Sequence, residues 1–188
     1  MPLSLSQRFD AALTYAHGLH RLQWRKGAQT PYIAHLLGVC SIVIDDGGDE
    51  DEAIAALLHD AAEDQGGAAR LAEIESMFGA GVARIVADCT DSWTEPKPPW
   101  RGRKEAYLAA LPGKPAPSLR VSLSDKVHNA EAIAEDFRWM GEDVFSRFTG
   151  GAEGTRWYYA RLAEIFAATR PGRLSARLGR ATAAFSAA

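Results

Sequence analysis

The feature that most constrains this chain is its apolar spacing. Hydrophobic residues recur three and four positions apart along nearly the whole length, and no segment shows the strict alternation of a half-buried strand. Phe9, Leu13, Ala16 and Leu19 set the pattern over residues 5–24, and Ile33, Leu36, Leu37, Cys40 and Ile44 repeat it before Gly47-Gly48. Thr30 reads as the N-cap of that second helix, with Pro31 at its first position, where a preset φ suits a helix start. A third helix is predicted over about 50–64, ending at Gly66-Gly67, and a pair hinged at Gly79 over 71–78 and 82–89. SWTEPKPPW, at 92–100, reads as a loop because its prolines cannot continue a helix. Further helices are predicted at about 101–111, 118–140, 155–169 and 173–186, broken by PGKPAP and Pro171-Gly172. The expectation is an all-α bundle forming one domain over residues 1–188, with no internal repeat.

Composition narrows the class. Hydrophobic residues make up 47% and charged residues 24%, the balance of a soluble globular protein. No apolar run approaches the ~20 residues that span a bilayer. The N-terminus has no basic start followed by an apolar stretch, so it is not read as a signal peptide. Cys40 and Cys89, both within apolar helical patterns, read as buried thiols of a reducing compartment, so a cytoplasmic location is expected. A net charge of −3 implies no general affinity for polyanions. The charges are uneven, however. Lys and Arg are absent between Lys26 and Arg70, where carboxylates run from Asp45 to Asp64, and basic residues gather from Lys97 onward. The arginines of the C-terminal helices, from Arg156 to Arg180, read as a solvated outer face rather than a nucleic-acid stripe.

LLHDAAEDQ, residues 57–65, places a histidine and three carboxylates just behind an apolar run. On a helix, positions 59 and 63 share a face, as do 60 and 64, while His59 and Asp60 point about 100° apart. They can converge on an ion lying off the helix if other helices supply further ligands. YIAH at 32–35 and LSDKVHN at 123–129 do so, and an aspartate as apolar-flanked as Asp125 is costly unless paired or metal-bound. Alone, each of these residues has an ordinary structural explanation. Jointly, His35, His59, Asp60 and Asp125 read as one metal site. His17 and His20 read as structural, and His128 as pointing elsewhere on its helix and not a ligand.

These segments resemble a known family. RKGAQTPYIAHLLGV (25–39), AALLHDAAED (55–64), IESMFGAGVARIVADCTD (74–91) and LSDKVHNAEAI (123–133) are similar, in order and spacing, to the HD-domain metal-dependent phosphohydrolases. The closer likeness is to the (p)ppGpp hydrolase domain of Rel/SpoT proteins and the free-standing small alarmone hydrolases. It covers roughly residues 8–165, leaving 173–186 as a C-terminal helix. The resemblance implies an HD-domain helical bundle and one divalent ion, Mn²⁺, held by His35, His59, Asp60 and Asp125. Two nitrogens and two carboxylates with open positions suit manganese better than a closed tetrahedral zinc site. It further implies that Glu63 and Asp64 orient or deprotonate a water, that Arg25, Lys26 and Asn129 bind the nucleotide, and that Lys97 contacts a phosphate. The implied reaction removes the 3′-pyrophosphate of a guanosine 3′,5′-bis-polyphosphate.

Two departures fall where base and sugar would bind. Gly27-Ala28 stand where the family often has Ser, and Ala130-Glu131-Ala132-Ile133 follow Asn129 where it often has Met-Arg-Thr-Leu. An adenine alarmone, (p)ppApp, is therefore an alternative substrate. A generic HD-domain nucleotide phosphohydrolase would share the four ligands, whereas a non-enzymatic sensing module predicts a damaged set, and this one is complete. Homo-oligomerisation and partnership with a toxin-like synthetase stay open at this level.

Overall fold

The computed structural model describes residues 3–94 and 96–186. Glu95, in the expected 92–100 loop, lies outside them. Among the described residues there are helices and no strand, only an isolated antiparallel bridge between Trp24 and Pro31. No helix among them is long and apolar enough to cross a membrane.

The order is α1 (Gln7–Leu19), α2 (Ile33–Asp45), α3 (Glu50–Leu58), α4 (Ala61–Asp64), α5 (Gly67–Phe78), α6 (Ala80–Cys89), α7 (Trp100–Ala110), α8 (Ala116–Met140), α9 (Gly151–Thr169) and α10 (Arg173–Ser186). Short 3-10 segments follow α7 and α8, at Leu111–Gly113 and Gly141–Arg147. Local chemistry explains several starts and stops. Ser6 caps α1 by accepting from the Arg8 amide at 3.1 Å. Asp49 and Glu52 form a reciprocal capping box at the start of α3. Gly79 turns between α5 and α6 at φ +91°, a conformation with no penalty for glycine.

Two apolar cores result. The first gathers α1, α2, α3, α5 and α6 around Ala53–Leu58, a run of α3 with no exposed surface. The second is more aromatic, with Tyr107, Phe145, Tyr158, Tyr159, Phe166 and Phe185 contributed by α7, α9, α10 and the segment after α8. α8 belongs to both: Val121 enters the first, and Leu119, Leu123, Val127 and Ile133 enter the second. Asp46 ties the halves together, accepting from Arg120 of α8 and from Arg170 beyond α9.

Several boundaries differ from expectation. The predicted 50–64 helix breaks at His59-Asp60. The Ala56 carbonyl, at a helix end where carbonyls lose their helical partners, accepts from His59 Nδ1 at 2.8 Å. Asp60 sits at φ −97°, ψ −4°, and α4 then starts afresh. Gly67 is the first residue of α5 and not part of a stop. Thr30 is not the cap of α2. Tyr32 occupies that position with no side-chain cap bond, because the backbone before it is used to pair the loop. The Arg25 amide donates to Thr30 O and the Tyr32 amide to Gln23 O, each at 2.9 Å. α1 accordingly ends at Leu19 instead of reaching residue 24.

Candidate active site

Three elements bring their side chains to one point beneath a cleft of about 1150 Å³. α2 supplies His35, the α3–α4 junction supplies His59 and Asp60, and α8 supplies Asp125. His35, His59 and Asp125 offer ligand atoms within 4.8 Å of one another, and all three are buried. Asp60 joins them: its Oδ2 lies 3.1 Å from His59 Nε2 and 3.6 Å from His35 Nε2. Asp125 Oδ1 stands 3.3 Å and 3.6 Å from the same two nitrogens.

This set fits a divalent ion. His59 Nε2 is buried with no aligned hydrogen-bond partner among the described residues, a costly arrangement unless something else fills its place. Its Nδ1 donates to Ala56 O, which fixes the tautomer and turns the Nε2 lone pair toward the carboxylates. The carboxylates are held in place too. Tyr32 donates its hydroxyl to Asp60 Oδ2 at 2.6 Å, and Asp125 takes Asn129 Nδ2 at 2.5 Å on Oδ1 and Lys126 Nζ at 2.6 Å on Oδ2. Burial alone would raise the Asp125 carboxyl, but Lys126, His35 and His59 outweigh it and hold it well below the usual range. Burial would likewise lower His59, yet Asp60 and Asp125 raise it well above an ordinary histidine. An ion held here would need His59 unprotonated at Nε2, so binding would be coupled to proton release.

Glu63 and Asp64 stand one turn beyond, joined by Lys97, whose Nζ lies 2.8 Å from Glu63 Oε1 and 3.3 Å from Asp64 Oδ1. Burial and the nearby Asp91 raise Glu63 above the ordinary range, with Lys97 opposing. Lys97 therefore pairs with the two acids that the sequence marks as catalytic. Asp91 anchors a cationic wall, accepting from Arg103 and, at 2.5 Å, from Lys104.

Of the residues expected to hold metal or substrate or to act on water, all line the cleft except His59, which lies beneath it. Arg25 Nη1 donates to Asn129 Oδ1 at 3.1 Å, so an unbroken chain runs from Arg25 through Asn129 to Asp125. Lys26 is exposed at the rim. Ala28 and Ala132 also line the cleft. Cys40 is buried in the core, whereas Cys89 is only half-buried and reaches the cleft wall.

One histidine differs from the sequence reading. His128 does not point elsewhere: its Nδ1 lies 3.0 Å from His35 Nδ1. Burial, with His35 and Arg25 nearby, pushes it down to about 4. It stays neutral and is no member of the ligand cluster. His20, read as structural, packs beside the site. Its ring stacks on Tyr32 at 5.1 Å, and its Nδ1 contacts Gln23, which donates to Asp64 at 2.9 Å. The C-terminal arginines are largely paired: Arg156 with Glu142, Arg161 with Glu164, Arg170 with Asp46 and Arg177 with Glu131.

An all-helical scaffold converging two imidazoles and two carboxylates under a cation-rimmed cleft has the donor set of a divalent-metal site. Comparison with known proteins narrows it. Residues 12–155 match the HD domain family HD_4, and the chain belongs to that family. It is 36% identical over 156 residues to the guanosine-3′,5′-bis(diphosphate) 3′-pyrophosphohydrolase MESH1 of Xenopus tropicalis, spanning 72% of this chain and 84% of that protein. It is 39% identical over 127 residues to the MESH1 protein of Homo sapiens, spanning 66% and 68% respectively. Among solved structures, it resembles a metazoan ortholog of SpoT described as hydrolysing ppGpp, with a TM-score of 0.77, 24% identity and 95% of each chain covered. A protein of Listeria monocytogenes EGD-e also shares the fold, with a TM-score of 0.72 and 23% identity over 85% of this chain and all of that one.

Proposed function

We propose that this protein is a divalent-metal-dependent hydrolase that removes the 3′-pyrophosphate of (p)ppGpp, giving GDP or GTP and pyrophosphate. The observation that carries the reading is the clustered set His35, His59, Asp60 and Asp125, buried except for the half-buried Asp60, with Glu63 and Asp64 one turn on, in a chain whose relatives are named for this activity. Residues 8–165 form the HD core in this reading, and α10 closes the bundle at its end.

The four ligands would hold one ion, for which we favour Mn²⁺, and that ion supplies acidification of water and polarisation of a phosphoryl oxygen. Glu63, raised by burial, accepts a proton from the attacking water, while Lys97 holds it and Asp64 at a fixed spacing. The water oxygen joins the 3′-linked phosphorus, the bond from that phosphorus to O3′ breaks, and O3′ takes up a proton. Arg25 and Lys26 hold the base or 5′-phosphates, and Asn129 couples that end of the cleft to Asp125. The setting is cytoplasmic, with a small nucleotide and no nucleic acid as partner.

A second reading rests on the rim. Ala28 and Ala132 present methyl groups to the cleft where a hydroxyl could select guanine, which favours acceptance of (p)ppApp as well. Incubation of ppGpp, pppGpp, ppApp and simple nucleotides with Mn²⁺, followed by ion-exchange separation, tests both. Pyrophosphate from a 3′,5′-bis-polyphosphate is expected. Orthophosphate alone, or cleavage of simple monophosphates only, would move the chain to the generic HD phosphohydrolases.

A further inference from the structure

α2 carries a glycine, Gly38, one turn after His35, in a helix otherwise rich in β-branched and aliphatic residues. A glycine inside a helix is destabilising relative to alanine, so its presence calls for a reason. The geometry supplies one. A Cβ built on Gly38 would lie 2.3 Å from His128 Nε2 and 2.4 Å from its Cδ2, far inside any real contact. The imidazole of His128 reaches across from α8 into the notch that the missing side chain leaves. There its ring centroid lies 4.8 Å from that of His35, at 61°, and the two Nδ1 atoms are 3.0 Å apart.

One of those nitrogens must donate and the other accept. His35 directs Nε2 at Asp60 and Asp125, the position of the ion, so a metal-binding His35 carries its proton on Nδ1. We propose that His128 is a positioning residue for the metal site, accepting the His35 Nδ1–H bond so that Nε2 is aimed at the ion, and that Gly38 is glycine in order to admit the His128 ring. His59 has a backbone carbonyl for the same task, whereas His35 has a second histidine. This inference rests on the metal-site reading, though not on the identity of the nucleotide.

The test is calorimetric titration of metal-free protein with Mn²⁺, alongside thermal unfolding of each metal-free variant to show that it folds. His128→Ala is expected to weaken Mn²⁺ binding 10–100-fold, the usual consequence of losing a partner that orients a ligand. His128→Asn, whose Oδ1 can stand in for Nδ1, is expected to bind within about threefold of wild type. Gly38→Ala, which leaves His128 in place but evicts its ring, should weaken binding as much as His128→Ala does. Adding it to His128→Ala should change the affinity by less than about twofold, because the two act through one contact. Excess Mn²⁺ should restore turnover in each folded variant.

Wild-type Mn²⁺ affinity in His128→Ala would overturn the inference while leaving the metal site standing. If that variant does not fold, wild-type affinity in Gly38→Ala would do the same. Equal weakness of His128→Asn and His128→Ala would overturn the hydrogen-bond assignment. Absence of binding to wild-type protein would remove the metal reading and this inference together, whatever the protein hydrolyses.

Discussion

The floor and the rim of the cleft are built on different terms. At the floor, His35 and His59 are 1% and 2% exposed, and each of the four clustered side chains is gripped by a further contact: His35 by His128, His59 by Ala56 O, Asp60 by Tyr32, Asp125 by Lys126 and Asn129. At the rim, Lys26 is exposed, Trp24 is 57% exposed, and the loop carrying them is held mainly by its own backbone pairing between residues 23 and 32. Groups that must hold a charge at a fixed distance sit on packed helices. In the proposed reading Arg25 and Lys26, which would meet the substrate, sit on a loop, where side chains can change without disturbing a core. The floor should therefore govern kcat and the rim KM and selectivity.

Metal removal tests the floor most severely. Chelation should reduce turnover to background while the helical signal in circular dichroism persists, and added Mn²⁺ should restore it. Full activity in stripped protein would refute the assignment. Next comes Glu63→Gln combined with Asp64→Asn, expected to lower kcat by ~10²–10⁴-fold with Mn²⁺ affinity little changed. The same pair predicts a pH effect. Glu63 must be deprotonated to act as base, and burial and Asp91 raise it, so the acid limb of kcat should fall above the ordinary glutamate range and be absent in Glu63→Gln. A limb unchanged by the substitution would assign it elsewhere.

Effects at the rim should be smaller and of another kind. Lys26→Ala should lower kcat/KM about 10-fold, since a charge-assisted contact is worth ~1.5–3 kcal/mol, and mostly through KM. A loss confined to kcat would blur the distinction between floor and rim. Smallest of all, Ala132→Thr should shift the ppGpp to ppApp ratio by about 2–10-fold, the range of one neutral hydrogen bond, without altering metal binding. An unchanged ratio would mean that position 132 does not read the base.

The same contrast explains how much could be read from the sequence. The helices were legible because apolar spacing reports the buried face directly, as in Leu36, Val39, Cys40 and Val43 of α2. The clustering of His35, His59, Asp60 and Asp125 was legible because these residue types, set behind apolar runs, are expensive to place there without a shared purpose. The break at His59-Asp60 was not, since it depends on a side chain capturing the Ala56 carbonyl, which no local propensity encodes. The pairing of Trp24 with Pro31 was equally hidden, and so Thr30 looked like a cap. His128 was missed because its direction depends on a gap in another helix. Gly38 was the available signal, a glycine with no turn to make. The family resemblance implies a phosphate contact for Lys97, and only the folded chain reveals Glu63 and Asp64 as its partners.

α8 has a consequence for how the molecule comes apart. It is one uninterrupted 25-residue helix, its flanks belong to different cores, and Asp125 lies near its middle. Neither core can melt alone without stripping α8 of half its burial, so denaturation should proceed in a single cooperative step. A bound ion would cross-link positions 35, 59, 60 and 125, and so would act as a staple between segments far apart along the chain. At a hundred times its dissociation constant such an ion stabilises the folded state by about 2.7 kcal/mol. A metal bound there would thus also raise the temperature at which the whole bundle fails.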